Sequence, residues 1–189
     1  MTTKLHPDIE GIRISEEEIS SRIEALGAEI ARDYEGKDLL LVGILTGATL
    51  FLADLVRQVA LPLSFDFVSI ASYGPESKAS GVVRILKDLD ESVEGRHVVV
   101  VEDVLNPTMA RRVAYLLDNL RSRRVASLKL CTLLDKPTRR RALGSVLEPD
   151  YCGFIVEEEY VVGYGLDYDG RYRSLPYIGV LKPNVYGGG

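Results

Sequence analysis

Four polar clusters punctuate aliphatic stretches of this chain: Thr46-Gly47, Ser72-Tyr73-Gly74, Glu102-Asp103 and Asp135-Lys136. Each follows closely on an apolar run that reads as a strand. The sharpest is Val98-Val99-Val100-Val101 delivering Glu102-Asp103 to its own end. Two adjacent carboxylates there are costly unless a cation meets them. They are either solvated, with one capping the next helix, or they hold Mg²⁺ through water or steady the hydroxyls of a sugar. Taken alone, Lys136 reads as a solvated turn residue before Pro137, Tyr160 and Val161 as core strand residues, and Asp167 and Arg173 as surface charges.

The elements that position these clusters are legible from periodicity. Ser15-Glu16-Glu17-Glu18 has the spacing of a capping box, and Ile19, Ile23, Leu26 and Ile30 follow at helical period, predicting a helix over 16–34. Leu39–Ile44 is an unbroken apolar run, as in a buried parallel strand. A helix over Phe51–Val59 and a strand over Phe65–Ala71 come next. Residues 72–96 are polar, with only Val82–Leu86 strand-like, and read as a lid or hairpin arm. The Val98 strand, a helix carrying Val113, Leu116, Leu117 and Leu120, and a strand over Ser127–Leu134 complete the alternation. Short strands are predicted around Phe154, Val161 and Ile178. The pattern is that of an α/β fold with a doubly wound, mostly parallel sheet flanked by helices, in one domain spanning residues 1–189. In such sheets ligands bind beyond the carboxyl ends of the strands, where the four clusters fall.

Composition narrows the class. The chain has 189 residues, 46% of them hydrophobic, enough for a core without disulfides. With 23 basic against 28 acidic residues the net charge of −5 argues against a nucleic-acid partner. No apolar run approaches the about 20 residues of a membrane span. Cys131 and Cys152, each in an apolar run, are expected as reduced thiols of a cytoplasmic protein.

The segments Leu45-Thr46-Gly47-Ala48, Ser72-Tyr73-Gly74, VVVVEDV from Val98, CTLLDKPTRR from Cys131 and YVVGYGLDYDGRYRSLPYIGVLKP from Tyr160 resemble those of the hypoxanthine (hypoxanthine-guanine) phosphoribosyltransferases, in the type I phosphoribosyltransferase family. The likeness runs over nearly the whole chain. It implies transfer of 5-phosphoribosyl from phosphoribosyl pyrophosphate to a 6-oxopurine, giving IMP or GMP and pyrophosphate, with Mg²⁺. It implies a small hood built from the N- and C-terminal segments, a flexible lid arm opening at Ser72-Tyr73, and a homodimer or homotetramer. Lys136 would donate to the purine O6, Tyr160 would stack on the base, and the Val161 backbone would pair with its edge. Glu102 and Asp103 would face ribose and Mg²⁺. Asp167 would assist the metal, and Arg173 would offer its fork of donors to phosphate oxygens. Thr46-Gly47 would form the pyrophosphate loop, often with a cis peptide; many relatives carry lysine where Thr46 stands.

One segment departs from the family. After Glu102-Asp103 and two aliphatics, relatives continue Asp-Thr-Gly, a variable residue and Thr, a loop that wraps the 5′-phosphate in backbone N–H groups. Its aspartate is the proton acceptor for purine N7. Here the text is Asn106-Pro107-Thr108-Met109-Ala110-Arg111-Arg112-Val113, about two residues longer. Asn106 stands nearest the aspartate, and an amide accepts no proton near neutral pH. Pro107 has no N–H to offer. Thr108 and Arg111, with Arg112 beside it, are the expected phosphate partners in this altered loop. Reduced catalysis is expected, and a purine-nucleotide-binding or regulatory protein on the same scaffold stands as the second reading.

Overall fold

A capping box opens the first helix. In the computed structural model, which describes residues 5–73, 82–157 and 159–187, Ser15 Oγ accepts from Glu18 N at 3.2 Å while Glu18 Oε2 accepts from Ser15 N at 2.8 Å. Two of the helix's unpaired N-terminal donors are thereby satisfied, and α1 runs Glu16–Asp33 with Ile19, Ile23, Leu26 and Ile30 on its buried face. Strand β2 (Leu39–Ile44) is buried at every position, as a strand covered on both faces must be. Helix α2 (Thr49–Gln58) starts two residues before the expected Phe51 and buries Phe51, Leu52 and Leu55. Strand β3 (Leu63–Tyr73) extends past its predicted ends. It turns back into β4 (Val82–Lys87), paired antiparallel to it. The polar arm thus contains an antiparallel strand pair, and residues 74–81, with Gly74 of the expected cluster, lie outside the described residues. Next come β5 (His97–Leu105), α3 (Pro107–Ser122), β6 (Ser127–Asp135), α4 (Pro137–Ala142) and β7 (Tyr151–Ile155).

The main sheet has the order β4-β3-β2-β5-β6-β7, parallel throughout except for β4. Strand alternation feeds two cores. Leu39, Leu41, Val99 and Val101 point toward α1 and α2, while Leu40, Val42, Val98 and Val100 pack under α3. From β2 the chain steps outward to β3, then returns to place β5 on the other side of β2. That reversal is the switch point of a doubly wound sheet, and it opens a crevice beyond the carboxyl ends of β2 and β5.

A second sheet, ordered β1-β9-β8, combines β1 (Ile9–Ile14) with β8 (Val161–Val162) and β9 (Ile178–Leu181), and α5 (Pro183–Tyr186) follows. Its core is Ile9, Val162, Tyr177 and Leu181. The N- and C-terminal segments therefore meet in one small lobe. Strand β1 was not anticipated: register shifts break its pairing with β9, and the apolar alternation is broken with it. Both cysteines are free, Cys131 buried and Cys152 partly so, and burial raises the Cys152 thiol to about 11. Among the described residues no helix is long and apolar enough to cross a membrane.

Candidate active site

A cavity of about 370 Å³ lies beyond β2 and β5, walled on its far side by the hood. Strand β5 carries Glu102 and Asp103 into its floor, at 2% and 9% exposure. Val104 N donates to Asp103 Oδ1 at 2.7 Å, and Glu102 Oε2 has no partner. Burial, then the charge of Asp103, pushes the Glu102 carboxyl well above the usual range. Burial raises Asp103 as well. A desolvated pair of acids with an orphaned oxygen is a site that a cation would discharge.

Gly47 lies flush against this pair. A Cβ there would fall 1.7 Å from Asp103 Oδ2, so any side chain at this position would collide with the carboxylate. The same loop contains a cis Leu45–Thr46 peptide bond, and Thr46 O accepts from Thr49 Oγ1 at 2.7 Å. Gly165, at φ +98°, closes on the loop from the hood, where a Cβ would come within 2.2 Å of Gly47 O. Only a residue without a side chain meets both demands at Gly165.

Two basic residues converge from other elements. Lys136 follows β6; its N donates to Leu105 O at 3.1 Å and its Nζ to Glu159 O at 2.6 Å. The neighbouring Tyr160 ring stands on the cavity wall, and Val161 is buried at the start of β8. Arg173 Nη2 pairs with Asp167 Oδ1 at 2.7 Å, and its Nη1 donates to Gly165 O. Asp167 Oδ2 also accepts from Gly170 N at 2.7 Å. Thr46, Gly47, Glu102, Asp103, Asn106, Lys136, Tyr160, Val161, Asp167 and Arg173 all line this one cavity.

The stretch 106–113 is not a loop. Asn106 is the N-cap of α3, its Oδ1 accepting from Met109 N at 2.9 Å, and Ala110 N donates to Asn106 O at 2.8 Å. Pro107 has no N–H and is well suited to the first helical position. Of the four leading N–H groups of a helix, here those of residues 106–109, Pro107 has none and that of Met109 is taken by the cap. Helical period decides the side chains. Met109 and Arg112, three and six residues after the cap, line the cavity. Thr108 and Arg111 are exposed, and Arg111 borders a separate depression beside Leu143 and Val146. Of the residues expected beside a phosphate, Arg112 lines this cavity, while Thr108 and Arg111 are not among the described residues that do. Arg112 Nη1 lies 3.7 Å from Met109 Sδ. The Asn-Pro pair was the available signal, since Asn at an N-cap and Pro after it start a helix. Ser72 and Tyr73 close β3, paired with Val83 and Val82.

Among the described residues no group of three or more His, Cys, Asp or Glu surrounds a common point. That excludes a closed protein cage there. It suits Mg²⁺, which binds through one or two carboxylates and completes its shell with water and substrate phosphates. The orphaned Glu102 oxygen, with Asp103 beside it, fits such an ion.

The family model for the phosphoribosyl transferase domain matches residues 15–169. The chain is 49% identical over 182 residues, 96% of its length, to the bifunctional protein TilS/HprT of Listeria monocytogenes, and spans 27% of that longer protein. It is 47% identical over 179 residues to a hypoxanthine-guanine phosphoribosyltransferase of Bacillus subtilis, covering 95% of this chain and 97% of that one. The crystal structure of a hypoxanthine phosphoribosyltransferase from Staphylococcus aureus matches with a TM-score of 0.88 at 43% identity, over 98% of both chains.

Proposed function

The chain belongs to the phosphoribosyl transferase family, and on that premise we propose that it joins hypoxanthine or guanine to the 5-phosphoribosyl group of phosphoribosyl pyrophosphate, releasing pyrophosphate in purine salvage. The observation that carries this is the meeting, around the Glu102–Asp103 floor, of Lys136 and Tyr160 with Asp167 and Arg173. The first two suit a base and the last two a pyrophosphate.

Tyr160 offers a ring face to the purine, and the Val161 backbone pairs with its edge. The Lys136 ammonium has only donors. It therefore accepts a 6-oxo group and rejects a 6-amino group, which would set donor against donor. Arg173, held by Asp167 and Gly165 O, presents a guanidinium to pyrophosphate oxygens. Arg112 takes the 5′-phosphate in place of a backbone loop, because the α3 N-terminus has few donors left. Glu102 and Asp103 would hold Mg²⁺, which would neutralise the departing pyrophosphate when bound, and Asp167, paired with Arg173, would assist through water. Asn106 has no carboxylate to take the N7 proton, so this step lacks the roughly 10²–10⁴-fold help of a general base. Positioning still acts, and turnover is slow rather than absent. Self-association and a cytoplasmic location belong to the same proposal. The exposed Phe65 and Leu86 near the β3–β4 edge support the first, and the two free thiols support the second.

The test is nucleotide formation by the purified protein with Mg²⁺, phosphoribosyl pyrophosphate and, in turn, hypoxanthine, guanine and adenine. IMP and GMP are expected and AMP is not. A folded protein that binds IMP yet forms none would establish the nucleotide-binding reading instead.

A further inference from the structure

We propose that Tyr186, on the C-terminal helix, is a positioning residue for the purine, holding the Tyr160 ring so that its remaining open face meets the base. The inference rests on the purine reading of Tyr160 given above. The Tyr186 and Tyr160 rings are stacked, with centroids 4.9 Å apart and planes 20° from parallel. Tyr168 meets Tyr160 edge-on at 5.5 Å and 87°. Tyr160 lines the cavity, while Tyr186 is not among the described residues that do. The Tyr186 stack covers one face of Tyr160 on the hood side, and the residue is still 38% exposed.

The support is itself anchored. Leu181 N donates to Tyr160 O at 2.8 Å, tying β9 to the residue that carries the ring. One residue on, Lys182 N donates to Asp8 O at 3.0 Å and Lys182 Nζ to Pro7 O at 2.6 Å, fixing the start of α5 to the N-terminal segment. Val185 packs on the hood core, so Tyr186 projects from a pinned turn. Tyr160 lies just outside β8 with its side chain partly exposed, so the rings that touch it do most to restrict its rotamers. The Tyr186 stack supplies that restriction. A ring already in its binding rotamer loses less freedom when a purine stacks on it, and the base completes a three-ring stack.

The experiment compares IMP with ribose 5-phosphate, which lacks the base, by calorimetric titration of wild type, Tyr160→Ala, Tyr186→Ala and Tyr186→Phe. Tyr186→Ala is expected to weaken IMP about three- to tenfold, the range of an aromatic pair, with ribose 5-phosphate unchanged. Tyr186→Phe keeps the stack and the wild-type affinity. If Tyr160→Ala weakens IMP and Tyr186→Ala does not, the positioning role is overturned and the purine reading stands. If Tyr186→Ala weakens both ligands alike, it acts on the fold and the role is again overturned. If Tyr160→Ala leaves IMP binding unchanged, the purine reading of Tyr160 fails, and this inference with it.

Discussion

Replacing Asn106 separates its part in folding from its part in chemistry. Asn106 Oδ1 accepts from Met109 N at 2.9 Å as the cap of α3, while the side chain also borders the cavity. Asp and Asn cap helices equally well, and a negative charge at a helix N-terminus adds about 0.3–1 kcal/mol. The nearby Glu102 and Asp103 oppose that gain. Asn106→Asp is therefore expected to leave stability within about 1 kcal/mol of wild type. Asn106→Ala loses the cap, about 1 kcal/mol, which lowers the melting temperature by about 2–4 °C in a chain of this size. The rate should respond the other way. A carboxylate that caps with one oxygen keeps a second for the purine N7 proton. General-base help is typically 10²–10⁴-fold, but a base drawn on by the helix end works below its full strength. We expect a rise of about ten- to a hundredfold in kcat for IMP formation near neutral pH. Asn106→Ala should show a kcat close to wild type despite its lower melting point. Steady-state kinetics beside thermal melts decide the matter. An Asn106→Asp enzyme as stable as wild type, with kcat within about twofold of it, would refute the assignment of this position to proton transfer.

Other perturbations read other parts of the site. Gly47→Ala sets a methyl 1.7 Å from Asp103 Oδ2; since that carboxylate is buried, the loop must move. Kinetics should show a loss of about a hundredfold in kcat/KM, and melts about 1–3 kcal/mol of stability. Arg112→Gln should raise KM for phosphoribosyl pyrophosphate about ten- to a hundredfold, the worth of a charged hydrogen bond, whereas Arg111→Gln should leave it unchanged; equal effects would contradict the helical placement. At the opposite end of the sheet Asp33 accepts from Tyr151 Oη at 2.6 Å and from Lys129 Nζ at 3.1 Å, and these hydrogen bonds, that from Tyr151 foremost, hold its carboxyl below the ordinary 3.8. A depressed acid stabilises the fold above its unfolded value and loses that as pH falls toward the folded one. The melting-temperature gap between wild type and Asp33→Asn should be full above pH 3.8 and close below it; a gap that widens in acid would show the sign to be wrong.

Local pattern carries most of the frame. The Ser15–Glu18 box, the four-valine run of β5 and the apolar stripe of α3 each depend on neighbours in sequence, so they are legible in the chain itself. The same holds for the placement of Thr46-Gly47 and Glu102-Asp103 at strand ends. Recognition of the purine and pyrophosphate residues rests on family resemblance instead, because Lys136, Tyr160 and Arg173 have unremarkable local surroundings. The segment after Leu105 was read as an altered loop and is the start of α3. A loop offers no period, whereas a helix begun at Pro107 rotates each residue by about 100°, and that rotation puts Arg112 on the cavity and Arg111 beside a separate depression.

What the sequence by itself determined was therefore the type and order of the main α/β elements and the ends at which polar groups gather, because backbone hydrogen bonding and burial impose short periods on residues close in the chain. Only the tertiary structure decided which of those groups share a cavity. In the folded chain Ile9 pairs with Leu181, Gly165 abuts Gly47 O and Tyr186 stacks on Tyr160. Such contacts arise from the packing of whole layers, and they leave no short period in the chain to be read.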